Sequence, residues 1–197
     1  MKPEMITLKH GDATIKMPAS SLAKLALAST FAVVFPQAAN VEPVAPSAVP
    51  ALGEYWPGQG GINGGFVAAR DGVPAHYLIF AKDDVGEHAW GRYREESGAT
   101  SKWDGKTNTD ALIAAGGHPA AEACRAYTAD GHSDFDLPAA AQLYQAWAHD
   151  LITEGYYWSS SQRSAHNAFL MDFDAGFQDN YAKSYELRVR PVRRFFI

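Results

Sequence analysis

Residues 155–197, GYYWSSSQRSAHNAFLMDFDAGFQDNYAKSYELRVRPVRRFFI, decide the fold, because apolar residues here change from helical spacing to a period of two. Tyr156 to Ser161 reads as a strand. In Ala168 to Asp174 (AFLMDFD), Phe169, Met171 and Phe173 fall on one face and Leu170, Asp172 and Asp174 on the other. Glu186 to Val192 (ELRVRPV) alternates again, with Leu187 and Val189 opposed to Arg188 and Arg190. The expectation is strand, loop, strand, with the face of Phe169 turned to the core.

Upstream the period is helical. Pro138 suits a first helical turn, where its missing N–H costs nothing, and Asp136 is placed to help cap. Leu143, Trp147 and Leu151 then recur on one stripe, with Ala140 and Tyr144 alongside. Further helical patterns start at Asp110 and run from Pro119 to Tyr127. Strand signals stand at His76 to Ala81 (HYLIFA) and His88 to Tyr93 (HAWGRY), and Gly98 to Thr109 reads as surface loop. Strands followed by helices and more strands make an α+β domain from Gly53 to the C-terminus.

A small module is expected at residues 1–35, with two short strands about His10-Gly11-Asp12 and a helix capped by Ser20 or Ser21 that aligns Leu22, Leu25 and Ala26. Residues 36–52 hold Pro36, Pro43, Pro46 and Pro50 among Ala and Val, the composition of an extended linker. Leu25 to Phe35 is read as a folded apolar element. It is shorter than the roughly 20 residues that span a bilayer, so no membrane insertion is expected, and a signal sequence cleaved near Ala39 is the alternative.

Composition narrows the function classes. The 197 residues are 47% hydrophobic and 20% charged, with a formal charge of -5, which gives no general case for nucleic acid. One cysteine, Cys124, excludes an intrachain disulfide framework and a multi-cysteine zinc site. His118 and His132 lack the spacing of a metal pair or a nucleophile–base pair. Gly58 to Gly65 departs from a dinucleotide fingerprint, with Asn63 at the third glycine position and a strand following; tight turns explain it better. Arg188, Arg190, Arg193 and Arg194 form a basic cluster, and alternation puts some of them on the outer strand face, where they could pair with Asp or Glu, rather than on a nucleic-acid surface. No catalytic residue, cofactor or metal is expected.

The segment Tyr157-Trp158-Ser159-Ser160-Ser161, the alternating Ala168 to Asp174 strand and the closing Glu186 to Phe195 (ELRVRPVRRF) look like the end of a bacterial C-type-lectin-like domain. More narrowly, they resemble the variable proteins of diversity-generating retroelements. The glycine stretch and the Asp136-Leu137-Pro138 helix start also fit, so the resemblance covers 53–197, with a variable region at about 157–197. It implies a lectin-like fold of short antiparallel strands and two or more helices, and a non-catalytic binder of a host-surface protein or glycan. It further implies a prophage-encoded location on a virion tail, with a phage tail protein as candidate partner and a homotrimer suggested by phage relatives. A bacterial surface adhesin is the alternative, and an enzyme of the formylglycine-generating type a lesser one.

In such systems a reverse transcriptase rewrites adenines, so Asn codons diversify widely but cannot yield Lys, Glu, Gln, Met or Trp. The candidate ligand-contacting positions are His166, Asn167, Leu170, Asp172, Asp174, Ala175, Phe177, Asp179, Asn180, Tyr181, Ala182, Ser184 and Tyr185, and each holds an attainable residue. Asp172, Asp174 and Asp179 also invite a calcium reading, but the full cation loop and its terminal Glu are absent.

Overall fold

A computed structural model describes residues 4–10, 13–21 and 49–197 of the chain. The chain divides into two compact units, Met1–Val44 and Ala45–Ile197. In the first, β1 (Met5–His10) and β2 (Ala13–Pro18) form an antiparallel hairpin in the register Met5↔Pro18 to His10↔Ala13. Ala19, Ser20 and Ser21 are already helical, so neither serine precedes the helix as a cap. The expected Leu22–Leu25–Ala26 stripe, the apolar Leu25 to Phe35 run and linker residues 36–48 lie outside the described residues. Among the described residues no helix is long and apolar enough to cross a membrane.

The second unit is α+β. A four-stranded sheet runs β11-β5-β4-β3, built from β3 (Tyr55–Trp56), β4 (Gly61–Val67), β5 (His76–Phe80) and β11 (Val192–Phe196). A five-stranded sheet runs β6-β10-β7-β8-β9, built from β6 (Glu87–Ala89), β7 (Tyr156–Gln162), β8 (Asn167–Asp172), β9 (Phe177–Ala182) and β10 (Glu186–Arg188). Helices α1 (Gly105–Ala115), α2 (Pro119–Ala126) and α3 (Ala140–Ala148) pack against them.

Local chemistry sets these boundaries. Asp104 caps α1 by accepting from the Thr107 N–H at 2.9 Å, and Gly116 ends the helix at φ 70°. Pro119 opens α2. Helix α3 begins later than Pro138 suggests: the Gln142 side chain accepts from the Ala139 N–H at 2.8 Å. Asp136 does not cap it, because its backbone is bridged both ways to Val192 and its carboxylate is paired with Arg125 at 2.6 Å. The His88 to Tyr93 strand stops at Ala89, since Gly91 and Arg92 turn the chain at φ 101° and 44° and Trp90 enters the core.

The glycine stretch serves close approach. A Cβ on Gly61 would collide with the Phe80 carbonyl of the neighbouring strand. Asp130 ties the preceding turn by accepting from the Tyr55 hydroxyl (2.8 Å) and the N–H groups of Gly58 (2.9 Å) and Gly60 (3.1 Å).

Two apolar clusters lie on opposite faces of the five-stranded sheet. One joins Trp90, Leu112, Cys124, Leu137, Trp158, Ala168 and Leu170; the other joins Leu78, Phe80, Leu143, Tyr157, Met171 and Phe173. Each large apolar side chain so enclosed contributes about 1.5–3 kcal/mol. Strand β8 is therefore covered on both faces, and the expected inward–outward alternation becomes an alternation between two cores. The expected loop after β8 is replaced by a strand: β9 pairs with it from Asn167↔Ala182 to Asp172↔Phe177.

Candidate functional site

Strands β7, β8 and β9 align their side chains in rows. Tyr156 lies opposite Asp172, which lies opposite Phe177; Trp158, Leu170 and Asp179 form the next row; Ala168 and Tyr181 belong to the third. Residues facing each other across a pair share a face. Trp158, Leu170 and Ala168 are buried, so the core ends along this face and aromatic side chains close it over. The Tyr156 and Tyr181 rings stack with centroids 6.1 Å apart and planes at 24°, reaching toward each other across the row of Leu170. Tyr181 also meets Tyr185 at 5.8 Å. The sequence reading missed Tyr156. Its signal was the doublet Tyr156-Tyr157, where one ring must leave the core as the other enters it.

The thirteen candidate positions fall into three places. Leu170, Asp172, Asp179, Tyr181 and Tyr185 lie about or beneath the tyrosine face, and Asp174, Ala175 and Phe177 at the β8–β9 turn. His166, Asn167, Asn180, Ala182 and Ser184 lie at the other end of the hairpin, where Asn167 Nδ2 donates to Asn180 Oδ1 at 2.8 Å and His166 meets the Tyr93 ring edge-on at 5.4 Å. Eleven of the thirteen are exposed or half-buried, and two are not. Leu170, expected on the outer face, is 1% exposed within the core, because its face is roofed by the helix cluster and Tyr181. Asp172, expected to be open to a ligand, is 4% exposed: its Oδ1 accepts from the Ala175 N–H at 3.0 Å and its carbonyl from Gly176 at 2.9 Å. It forms the turn.

A polar framework holds this surface from behind. Lys183, between half-buried Ala182 and exposed Ser184, is fully buried; its Nζ donates to the Glu95 carbonyl and to Gln162 Oε1, both at 2.7 Å. Burial holds its ammonium below the usual lysine range. Ser159 Oγ donates to the Phe169 carbonyl at 2.7 Å, and Ser161 Oγ to the Ser101 carbonyl at 2.8 Å. Ser160 Oγ accepts from Asn108 Nδ2 at 3.1 Å, and Trp158 Nε1 donates to the His88 carbonyl at 3.0 Å. The Trp-Ser-Ser-Ser motif is thus scaffold. Beside the start of β9, a cleft of about 500 Å³ opens between Lys102, Ala140, Tyr144, Phe177 and Gln178.

The carboxylates near the turn are engaged by the backbone. Asp174 Oδ2 accepts from the Gly155 N–H at 3.0 Å, and Asp179 Oδ1 from the Asn180 N–H at 2.7 Å. Among the described residues no cluster of three or more His, Cys, Asp or Glu is arranged to hold a metal ion. Cys124 is buried in α2, and desolvation pushes its thiol well above the usual range, away from thiolate character. His118 is buried edge-on to Trp90 and held by Nδ1 at the Trp90 carbonyl, 3.1 Å away; burial lowers its pKa. His132 contacts the Gly58 carbonyl through Nε2 at 2.9 Å.

The four C-terminal arginines each face an acid: Arg188 with Glu154 (3.8 Å), Arg190 with Asp84 (2.7 Å), Arg193 with Asp134 (2.7 Å), and Arg194 with Asp104. Arg193 reaches Asp134 from a nearly buried position rather than from an outer face. No family model and no curated protein matches this chain.

Proposed function

We propose that residues 53–197 form a C-type-lectin-like binding domain, and that its C-terminal segment is a ligand-contacting surface diversified by adenine-directed mutagenesis. One observation carries this reading. Between Tyr157 and Tyr185 five side chains belong to types that adenine replacement in Asn codons cannot produce: Trp158, Gln162, Met171, Gln178 and Lys183. Four are buried, and the fifth, Gln178, donates to the Ala140 carbonyl at 2.6 Å at the start of α3. Eleven candidate positions for change sit outside the core. A scaffold that varies its surface while retaining its packing needs this division.

The mixture of strands and helices is compatible with the lectin-like fold, and exposed tyrosines provide contact area at modest entropic cost. Display on a phage tail, in several copies, would let weak contacts add by avidity. The test is a display library with the eleven surface positions randomised and selected against an unrelated folded protein. The account expects binders whose melting temperatures stay near that of the parent. Loss of folding throughout the library would overturn the division between scaffold and variable surface.

A further inference from the structure

The ligand of this particular chain has a chemistry that its side chains specify. We infer that the face formed by Tyr156, Tyr181 and Tyr185 takes a cationic side chain, an arginine or lysine presented by a partner protein. The inference rests on the reading of this face as a ligand surface. Tyr156 and Tyr185 are 40% and 59% exposed, and through Tyr181 their rings form a continuous aromatic wall, with successive centroids 6.1 and 5.8 Å apart. A row of tyrosine rings left in water is an unusual surface unless it is covered in use.

Two carboxylates lie in the strand rows of the wall. Asp172 lies in register with Tyr156, and Asp179 lies two residues from Tyr181 on the same strand face. The Asp172 carboxylate pushes the Tyr156 phenol above the ordinary tyrosine range, so its negative field reaches the ring. Among the described residues, two cations of the adjoining segments are engaged elsewhere: Lys183 is buried against Trp90, and Arg188, in register with Tyr157, reaches Glu154. Aromatic faces attract a cation through the ring quadrupole, and the flanking carboxylates add direct attraction. An anionic partner would meet repulsion on the same face.

The test is a titration of the full-length protein, labelled for aromatic-ring NMR, with the capped tripeptide acetyl-Gly-Arg-Gly-amide. The comparison is its citrulline counterpart, which is nearly isosteric and neutral. Saturable shifts at the three tyrosines are expected, with affinity at least about threefold weaker for citrulline. Tyr181→Leu keeps every charge and should abolish the response; Tyr156→Leu, at an exposed position, does the same should the first variant fold poorly. Asp179→Asn keeps the rings and should weaken it. Equal shifts with both peptides, no saturable shift, or a response to methyl α-mannoside alone would overturn the cationic assignment. None of these bears on whether the positions vary in nature, which population sequencing tests separately.

Discussion

Lys183 places its ammonium 4.5 Å from the centroid of the Trp90 ring, inside the domain, and so ties the segment after β9 to the turn that follows β6. Its hydrogen bonds to the Glu95 carbonyl and to Gln162 Oε1, which also accepts from the Ser97 N–H at 2.7 Å, satisfy the buried ammonium. Lys183→Ala should destabilise the domain by about 2–4 kcal/mol, through a cavity and lost bonds. Lys183→Met, which refills the volume, should cost less. Urea denaturation of both variants checks this; an unperturbed Lys183→Ala midpoint would remove Lys183 as an anchor.

Leu170 and Phe177 are both large apolar residues of the same hairpin, with opposite expected behaviour. Leu170→Ala empties a packed site and should cost about 3 kcal/mol. Phe177, 50% exposed, should tolerate Ala within about 0.5 kcal/mol. Melting curves of the two variants measured side by side decide the matter.

Asp136 is pushed up to about 6, chiefly by burial, with Arg125 pulling the other way. An acid raised above its ordinary value of 3.8 takes up protons on folding. Its contribution to stability is therefore fully present below that value and is lost as pH rises through about 6. Asp136→Asn removes this titration, while carboxylates shared by both proteins largely cancel. The stability of wild type minus that of the variant should fall by up to about 3 kcal/mol from pH 4 to pH 7. A difference that stays flat across that range would contradict the buried-acid assignment.

Asp130 gathers Tyr55, Gly58 and Gly60 onto one carboxylate. In Asp130→Ala, amide hydrogen exchange at Gly58 and Gly60 should quicken, while the amides of β5 keep their protection. Unchanged exchange at both glycines would mean that the turn holds without the carboxylate.

Much of the architecture is legible in residue spacing, and the failures have physical causes. The strand at Tyr156 and the apolar stripe of α3 are visible because β and helical periods differ. Strand β9 is hidden because Asp179-Asn180 has low strand propensity, and only pairing with β8 supplies what the local sequence lacks. Alternation puts Leu170 outward because it cannot by itself distinguish a solvated face from a second core. Asp136 left its helix because a bridge to Val192, more than fifty residues away in sequence, outweighed a local cap. The surface role of Tyr185 and Phe177 was readable as apolar rings among acids. Tyr156 emerged only when the register was known.

Sequencing the 3′ end of this gene and its flanking DNA across a natural population shows whether the C-terminal segment is diversified. The account predicts substitutions confined to adenines, concentrated from His166 to Tyr185 at the surface positions, with the codons of Trp158, Gln162, Met171, Gln178 and Lys183 unchanged. A near-identical template repeat and a reverse-transcriptase gene should lie nearby. A uniform segment without such a repeat, or variation spread evenly over core and surface codons, would contradict it.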